Sequence, residues 1–205
     1  MPREEEVKFR FKDIAHSQEI FRMLCYHYGT PVITLEKNRL FDTPQGELRS
    51  KGWILRLRSV LTFDMARNVR DCMRFILTVK KPTNRKSVRW EEEMDVGQTT
   101  NDVRRVISRL GKLGFTKVFF YEKLRSDFRI GGLVVTLAEL PLLGYWLEIE
   151  GKEREISACA RLLGFKRKDA ITSDFRTLWE EFARANNLPA FKKLTFPRKR
   201  RSPVL

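Results

Sequence analysis

The chain has few of the residues that form disulfide-linked or zinc-binding proteins. Its 205 residues include three cysteines and two histidines. Cys25, Cys72 and Cys159 lie far apart and are odd in number, so the sequence supports neither a disulfide framework nor a zinc cluster. We interpret the cysteines as reduced, mostly buried residues of a cytoplasmic protein.

Long hydrophobic runs are also missing from the sequence. No apolar run approaches the ~18 residues of a membrane span, and the N-terminus is acidic, which is unlike a signal peptide. We therefore expect no membrane-spanning segment and no membrane partner.

Acidic residues are too few to balance the basic ones. Lys and Arg number 41, Asp and Glu number 26, and the formal net charge is +15. Such an excess indicates an anionic partner: nucleic acid, an acidic membrane or a phosphorylated small molecule. Because 42% of the residues are hydrophobic, the chain can form one domain with a substantial core. We place this domain at residues 1–187 and predict a basic, flexible tail at residues 188–205.

Apolar and polar residues alternate in several segments, as in β-strands. In EEEVKFRF, residues 4–11, Val7, Phe9 and Phe11 share one face and charged residues take the other. The pattern predicts eight strands, at residues 4–12, 32–41, 52–59, 73–82, 87–96, 116–130, 133–140 and 143–151. It also predicts four helices, at residues 17–27 (capped by Ser17), 101–113, 153–163 and 173–185. These elements favour an α+β domain whose antiparallel sheet can close into a barrel.

Several strands carry like charges two residues apart on one face. Arg56 and Arg58 share a face of one strand, and Glu148 and Glu150 share a face of another. One interpretation is a sheet with one solvated face. The alternative is that helices cover the apolar faces, so that the charged faces point into a barrel. A lumen that mixes carboxylates with Lys and Arg is costly to desolvate without a ligand. It suits a substrate with many phosphate oxygens and a hard divalent cation.

Six short motifs follow one another over residues 4–150. They are Glu4-x-Glu6-x-Lys8, LFDTPQGELRSKGWILRLR at 40–58, VKKP at 79–82, Arg89-x-Glu91-x-Glu93, Lys123-x-Arg125 and LGYWLEIE at 143–150. Each motif alone is weak, but the six in this order are specific. The sequence resembles the CYTH superfamily, the triphosphate tunnel metalloenzymes, which includes class IV adenylyl cyclases, thiamine triphosphatases and inorganic tripolyphosphatases.

The resemblance implies an eight-stranded antiparallel tunnel, with helices on its outside, that binds a triphosphate and Mg²⁺ or Mn²⁺. The metal ligands it implies are Glu4, Glu6, Glu148 and Glu150. The residues it implies for phosphate binding are Lys8, Arg56, Arg58, Lys80, Lys123 and Arg125, and Arg74 and Arg89 are included because they share the same strand faces. Lys80 is our candidate for polarising the attacking water. Glu91 and Glu93 would assist the metal or form ion pairs with the basic residues.

One position departs from the pattern that the resemblance implies. The family usually has an acid in the strand before the last turn, and here LAELPLLG, residues 137–144, has Ala138 at that place. Glu139 is adjacent, but a shift of one residue points a side chain to the other face of a strand. It would substitute only if the strand contained a bulge. This departure puts a second metal, and catalysis itself, in question.

We expect a divalent-metal-dependent hydrolase of tripolyphosphate, a nucleoside triphosphate or thiamine triphosphate. One alternative is a class IV-type adenylyl cyclase, although no motif specifies an adenine pocket. Another is a non-catalytic binder of triphosphate or nucleotide, because of Ala138. A third is non-specific nucleic-acid contact through the basic tail, whose cations are Lys192, Lys193, Arg198, Lys199, Arg200 and Arg201.

Overall fold

A computed structural model of the chain describes residues 3–64, 69–85, 88–189 and 191–197, which form the following elements. In chain order they are β1 (Arg3–Arg10), α1 (Ile14–Tyr28), β2 (Val32–Asp42), α2 (Glu47–Ser50), β3 (Ile54–Asp64), β4 (Val69–Pro82), β5 (Val88–Gly97), α3 (Thr100–Lys112), β6 (Thr116–Ile130), β7 (Leu133–Leu140), β8 (Gly144–Glu150), α4 (Glu153–Leu162), α5 (Phe175–Ala185) and β9 (Lys193–Leu194). A 3₁₀-helix, Arg167–Asp169, precedes α5.

Strands β1 to β8 form a closed antiparallel barrel. The order around the barrel is β1, β5, β4, β3, β2, β6, β7 and β8, and β8 pairs with β1 to complete the ring. The predicted α+β fold, an eight-stranded antiparallel barrel with helices packed on its outside, is confirmed. Closure gives each strand a hydrogen-bonded neighbour on both sides, which removes the open edges of a flat sheet.

The apolar faces of the strands point outward, where helices cover them. Val7 and Phe9 of β1 lie in one buried cluster with Leu24 of α1 and Ile156 of α4. Leu57 of β3 and Val103 of α3 lie in a second cluster on another side of the barrel. Because side chains alternate along a strand, covering these apolar faces turns the polar faces into the barrel.

Two short segments complete the barrel where neighbouring strands separate. β1 pairs with β5 only at Arg3–Glu5, and farther along its edge the backbone of Lys8 exchanges hydrogen bonds of 2.9 and 2.8 Å with Ile171. β6 pairs with β7 only from Leu124 onward, and β9 pairs in parallel with β6 ahead of that point. The segment around Ile171 brings residues 172–176 to the mouth of the barrel.

Helix α5 packs across one end of the barrel. Its residues Phe175 and Trp179 lie in a buried cluster with Tyr121, Ala138 and Trp146 of the barrel strands. Trp179 is fully buried, and its indole N–H donates to the carbonyl oxygen of Phe191 at 3.0 Å. This end of the barrel is therefore apolar.

Three local features differ from the sequence predictions. Helix α1 begins after Asp13, whose carboxylate accepts the backbone N–H of His16 at 2.8 Å, because Ser17, the predicted cap, is buried inside the helix. The short α2 was not predicted. It is held by the carboxylate of Asp42, which accepts the backbone N–H groups of Leu48 and Arg49.

The third difference concerns the predicted tail. Leu194 is 2% exposed and packs in the cluster with α5, so the described part of this segment contacts the barrel. A flexible tail remains a prediction for residues 198–205, which lie outside the described residues. In the described part of the chain, no helix has both the length and the apolar character needed to cross a membrane.

Leu147 provides a test of the packing between the barrel and its helices. Leu147 is 0% exposed in the cluster that joins β8 to α1 and α4. We expect Leu147→Ala to lower the free energy of unfolding by about 2–5 kcal/mol, because it leaves a cavity. Leu162→Ala is the matched control, since Leu162 is 77% exposed. Urea unfolding measures both, and equal losses would contradict the packing described here.

Candidate functional site

The barrel surrounds a cavity of about 770 Å³ that is lined mainly by charged side chains. Among the described residues, ten basic side chains line it: Lys8, Arg56, Arg58, Arg74, Lys80, Arg89, Lys123, Arg125, Arg129 and Arg176. Eight acidic residues line it as well: Glu6, Glu36, Glu91, Glu93, Asp127, Glu148, Glu150 and Asp174. The charged strand faces therefore point inward, and the interpretation of a solvated outer face is wrong.

The structure brings together nearly all of the residues that the sequence suggested for the site. All eight residues suggested for phosphate binding line the cavity, as do Glu6, Glu148 and Glu150 of the suggested metal ligands. Glu4 is placed on β1 opposite Arg89, and its side chain lies outside the described part of the structure. The roles of these residues remain predictions.

At the end of the cavity nearest α5, two lysines lie in contact with two carboxylates. Lys8 Nζ is 2.8 Å from Glu6 Oε1, and Lys123 Nζ is 2.6 Å from Glu148 Oε2. The ring of Phe175 lies near both ammonium groups, with its centroid 5.6 Å from Lys8 Nζ and 5.1 Å from Lys123 Nζ. Burial alone would raise the pKa of Glu6, but the nearby lysines outweigh burial and lower it, so Glu6 is ionised.

Glu36 lies at the centre of a network that the sequence analysis missed. One of its oxygens is 3.0 Å from Arg58 Nη1 and 3.1 Å from Arg125 Nη1, and the other accepts the amide N–H of Asn38 at 3.3 Å. Burial opposes ionisation of Glu36, but the two guanidinium groups hold its pKa well below its usual range. The Glu36 carboxylate thus fixes two of the suggested phosphate-binding arginines.

The third group of contacts surrounds Lys80 and Arg56. Lys80 Nζ is 2.8 Å from Glu91 Oε2, and Arg56 Nη2 is 3.7 Å from both Glu91 and Glu93. Of the two roles suggested for Glu91 and Glu93, the structure shows ion pairing with basic residues. Burial raises the pKa of Tyr121 to about 12, so its hydroxyl stays protonated in the cavity wall.

Two of the suggested arginines differ from the rest in their surroundings. Arg74 forms an ion pair of 2.8 Å with Asp95, and the two side chains are 55% and 44% exposed, so this pair is weakly stabilising. Arg89 lines the cavity from β5, beside the start of β1. We place both arginines at the rim of the suggested site rather than at its centre.

The strand residues that the sequence analysis missed were marked by the same alternation that revealed the others, whereas Asp174 and Arg176 line the cavity from the start of α5 and carry no such signal. In VITLEKNRLFD the residues Thr34, Glu36 and Asn38 share one strand face. In β6 the run of Lys123 and Arg125 continues through Asp127 and Arg129, which also line the cavity. Thr136 on β7 donates its hydroxyl to Asp127 at 2.7 Å. Extending the alternation to the full length of each strand would have found them.

Ala138 lies in the apolar end of the barrel. It is 3% exposed, its Cα partners are Arg125 on β6 and Trp146 on β8, and it belongs to the cluster with Phe175. The register between β6 and β7 continues unbroken through Glu139. Since the described strand contains no bulge there, Glu139 points to the other face and does not take the place of the missing acid.

The carboxylates of β1 and β8 have the chemistry that a divalent metal requires. Glu6 and Glu150 are direct Cα partners, and Glu148 lies two residues from Glu150 on the same strand face. Their oxygens are the ligands that Mg²⁺ and Mn²⁺ prefer. Within the described residues no three acidic, histidine or cysteine side chains are already gathered around one point. In the free protein, Glu6 and Glu148 instead contact Lys8 and Lys123.

Glu36 also provides a test through the pH dependence of stability. Its pKa in the folded protein is well below the usual range, whereas in the unfolded chain it is about 4.3. The ionised Glu36 carboxylate therefore contributes fully to the free energy of unfolding above about pH 5. This contribution is lost as the pH falls through the pKa of Glu36 in the folded protein. We expect Glu36→Gln to cost about 3–5 kcal/mol of unfolding free energy at pH 7, because two buried guanidinium groups each lose one carboxylate partner and keep Glu93 and Asp127.

The measurement is urea unfolding at pH 7 and at stepwise lower pH. The difference between wild type and Glu36→Gln should shrink as the pH falls, whereas Glu92→Gln, on an exposed residue of β5, should follow the wild type throughout. A constant difference across the pH range would show that Glu36 is not stabilising as an ion.

Comparisons with known proteins agree with this fold. The family model described as CYTH domain matches residues 2–167. A solved structure of a protein from Pyrococcus horikoshii is 22% identical in sequence and has a TM-score of 0.67. The match covers 87% of this chain and 99% of that chain. A proposed adenylate cyclase of Vibrio parahaemolyticus is 19% identical, with a TM-score of 0.68 and coverage of 86% and 97%.

A third structure is that of a proposed adenylyl cyclase from Hippeastrum with a dominant triphosphatase activity. It is 19% identical, with a TM-score of 0.59 and coverage of 89% of this chain and 96% of that chain. At these identities the structures establish a shared fold. No curated protein sequence matches the chain.

Proposed function

This chain belongs to the CYTH family, and on that basis we propose that it is a divalent-metal-dependent hydrolase of a triphosphate-containing substrate. The substrate would be tripolyphosphate, a nucleoside triphosphate or thiamine triphosphate. The observation that supports this function best is the single cavity in which ten basic side chains are interleaved with eight carboxylates. A triphosphate offers anionic oxygens to the first set, and a hard cation suits the second.

Substrate binding would begin with an exchange of partners around Lys8 and Lys123. Lys8 contacts Glu6 of its own strand and Lys123 contacts Glu148 of β8, and phosphate oxygens would replace those carboxylates. Arg125 would add a guanidinium group whose position is fixed by Glu36 and by Asp127 at 2.9 Å. Each phosphate would therefore meet donors that are already oriented, which is the main contribution a protein makes to phosphoryl transfer.

The same exchange would release the carboxylates of Glu6 and Glu148. Together with Glu150, and with Glu4 as the sequence suggests, these would hold the divalent metal. When bound, such a metal neutralises charge on phosphate oxygens and orients the group to be transferred. The carboxylates that balance the lysines in the free protein would then balance the metal.

Lys80 would act on the attacking water or the terminal phosphate. Its ammonium group lines the cavity, where Glu91 holds it at 2.8 Å. An ammonium group can donate hydrogen bonds to a phosphate oxygen or to a water, and it favours the negative charge that develops there. The Glu91 contact orients Lys80 at the cavity wall.

Phosphate release tests this function directly. We expect the protein to release phosphate from at least one of tripolyphosphate, ATP and thiamine triphosphate, with Mg²⁺ or Mn²⁺. Glu6→Gln/Glu148→Gln should reduce the rate by about a hundredfold or more, the scale seen when one preorganised electrostatic contact is lost. Glu92→Gln, which removes a carboxylate outside the cavity lining, should leave it unchanged. Formation of cyclic AMP from ATP in place of phosphate release would identify a cyclase instead.

A non-catalytic binder is the second candidate function, and the position of Ala138 favours it. Ala138 stands where the resemblance implies an acid, and it packs against apolar residues at the α5 end. Both functions predict binding of tripolyphosphate in the cavity, and they differ only in turnover. A substitution at Ala138 can therefore distinguish the hydrolase from the non-catalytic binder.

We expect wild type to hydrolyse its substrate and Ala138→Asp to be no more active and less stable, because the new carboxylate would lie beside Trp146 and Phe175. Isothermal calorimetry with tripolyphosphate and phosphate release would be measured on the same preparations. If wild type binds tripolyphosphate without releasing phosphate, and Ala138→Asp releases it, the protein is a binder that has lost turnover. Ala138→Asn controls for the added volume without a charge.

A further inference from the structure

The excess positive charge of the protein is not explained by its cavity. The ten basic and eight acidic residues of the cavity lining leave a net charge of +2, whereas the whole chain, including its undescribed residues, carries +15. Most of the excess therefore belongs to side chains outside the cavity. A triphosphate in the barrel would leave that charge unmatched, which points to a second, larger anionic partner.

A groove of about 350 Å³ lies on the outside of the barrel, where part of this charge is concentrated. It is lined by Arg39, Lys117, Lys192 and Lys193 together with Phe120 and its neighbours Val118 and Phe119. Acidic residues are absent from this lining, among the residues that the structure describes. The groove thus differs from the cavity, where carboxylates alternate with cations.

The groove is built by backbone pairing and not by side chains alone. The first half of β6 extends beyond β7, and β9 pairs in parallel with it, with Lys193 opposite Phe120. The backbone N–H of Phe120 donates to the carbonyl oxygen of Lys192 at 2.9 Å, and the backbone N–H of Phe196 donates to the carboxylate of Glu122 at 3.0 Å. These bonds hold Lys193 of β9 and the preceding Lys192 beside the cations of β2 and β6.

An aromatic ring forms part of this basic groove. The guanidinium carbon of Arg39 is 5.6 Å from the centroid of the Phe120 ring, and Lys193 Nζ is 5.9 Å from it. Arg39 is also held by a hydrogen bond of 2.9 Å to Ser59. Cations beside an aromatic ring provide both phosphate contacts and a surface on which a base can stack, the combination that single-stranded nucleic acids require.

We propose that this outer groove binds the sugar–phosphate backbone of single-stranded nucleic acid, with Phe120 stacking on a base. Arg39, Lys117, Lys192 and Lys193 contact the phosphates. The site is distinct from the barrel cavity and does not depend on the hydrolase activity proposed above. It assigns nucleic-acid contact to a groove of the folded barrel, where the sequence alone suggested only a basic tail.

Fluorescence anisotropy with a labelled 12-nucleotide oligouridylate tests this site. For the full-length protein at 50–200 mM KCl we expect binding on the order of 10⁻⁵ M, with a steep dependence on salt. Lys117→Glu/Lys192→Glu should weaken binding about tenfold or more and reduce the slope of log affinity against log salt by about 1.4, since each phosphate contact contributes about 0.7 for single strands. Phe120→Leu should weaken binding about tenfold with the slope unchanged.

The matched control is Lys12→Glu/Lys168→Glu, which makes the same change of net charge at two exposed lysines outside the groove. It should leave the affinity within about threefold of wild type. Equal losses in the two charge-reversal pairs, or no binding by wild type at 50 mM KCl, would overturn the proposal. If the groove pair fails to fold, Lys117→Gln/Lys192→Gln removes the same charges without adding acids, and the same comparison decides.

Two further measurements distinguish oligonucleotide binding in the groove from binding in the cavity and from binding to a lipid surface. Lys80→Ala alters the cavity, so it should change phosphate release and leave oligouridylate affinity unchanged; a parallel loss of affinity would place the oligonucleotide in the cavity and refute the groove. Sedimentation with phosphatidylserine vesicles tests an anionic lipid surface. Dependence of vesicle binding on Lys117 and Lys192, without such dependence for the oligonucleotide, would show that the partner is a membrane and that the proposal is wrong.

Discussion

The pairing of charges inside a closed barrel is the constraint on which the rest of this structure depends. Each charged side chain in the cavity would be costly to desolvate alone. A buried ion pair offsets that cost only when its atoms are in close contact and form further hydrogen bonds. Glu36 on β2 meets this need with Arg58 on β3 and Arg125 on β6. Lys123 and Glu148 meet it from strands that are separated by β7. The charge network is therefore completed by contacts between strands that lie side by side or one strand apart in the barrel.

The ion pairs of the free protein also define what a ligand must replace. A basic residue released from its carboxylate needs another anion, and the carboxylate then needs another cation. A triphosphate together with a divalent metal would satisfy both demands at once, whereas either alone would leave half of the network unmatched. The exchange of partners therefore links triphosphate binding to metal binding in the proposed function. It also gives Glu36 a role different from that of Glu6, since its two arginine contacts come from both neighbouring strands and hold the phosphate-binding side chains in place.

The inner and outer surfaces of the barrel carry charge in different ways. Inside, cations and carboxylates are interleaved and the net charge of the lining is small relative to that of the chain. Outside, in the groove between β2, β6 and β9, cations stand together around Phe120. Interleaved charge suits a compact ligand that brings its own cation, and concentrated positive charge suits an extended polyanion. The same strand, β6, contributes to both surfaces. Lys123 and Arg125 line the cavity, Phe120 lines the groove, and a register shift against β2 between Leu40 and Phe41 places Lys117 on the groove side as well.

The sequence by itself determined the strands, their apolar and charged faces, and most residues of the cavity, because the two-residue alternation is a local property of the chain. The tertiary structure alone decided the partners. Glu36 contacts Arg58 and Arg125, which are 22 and 89 residues away, and Ala138 lies in an apolar cluster completed by α5. The docking of β9 beside β6 likewise joins distant parts of the chain. Such contacts depend on strand register and barrel closure, and those are set by the packing of the whole domain.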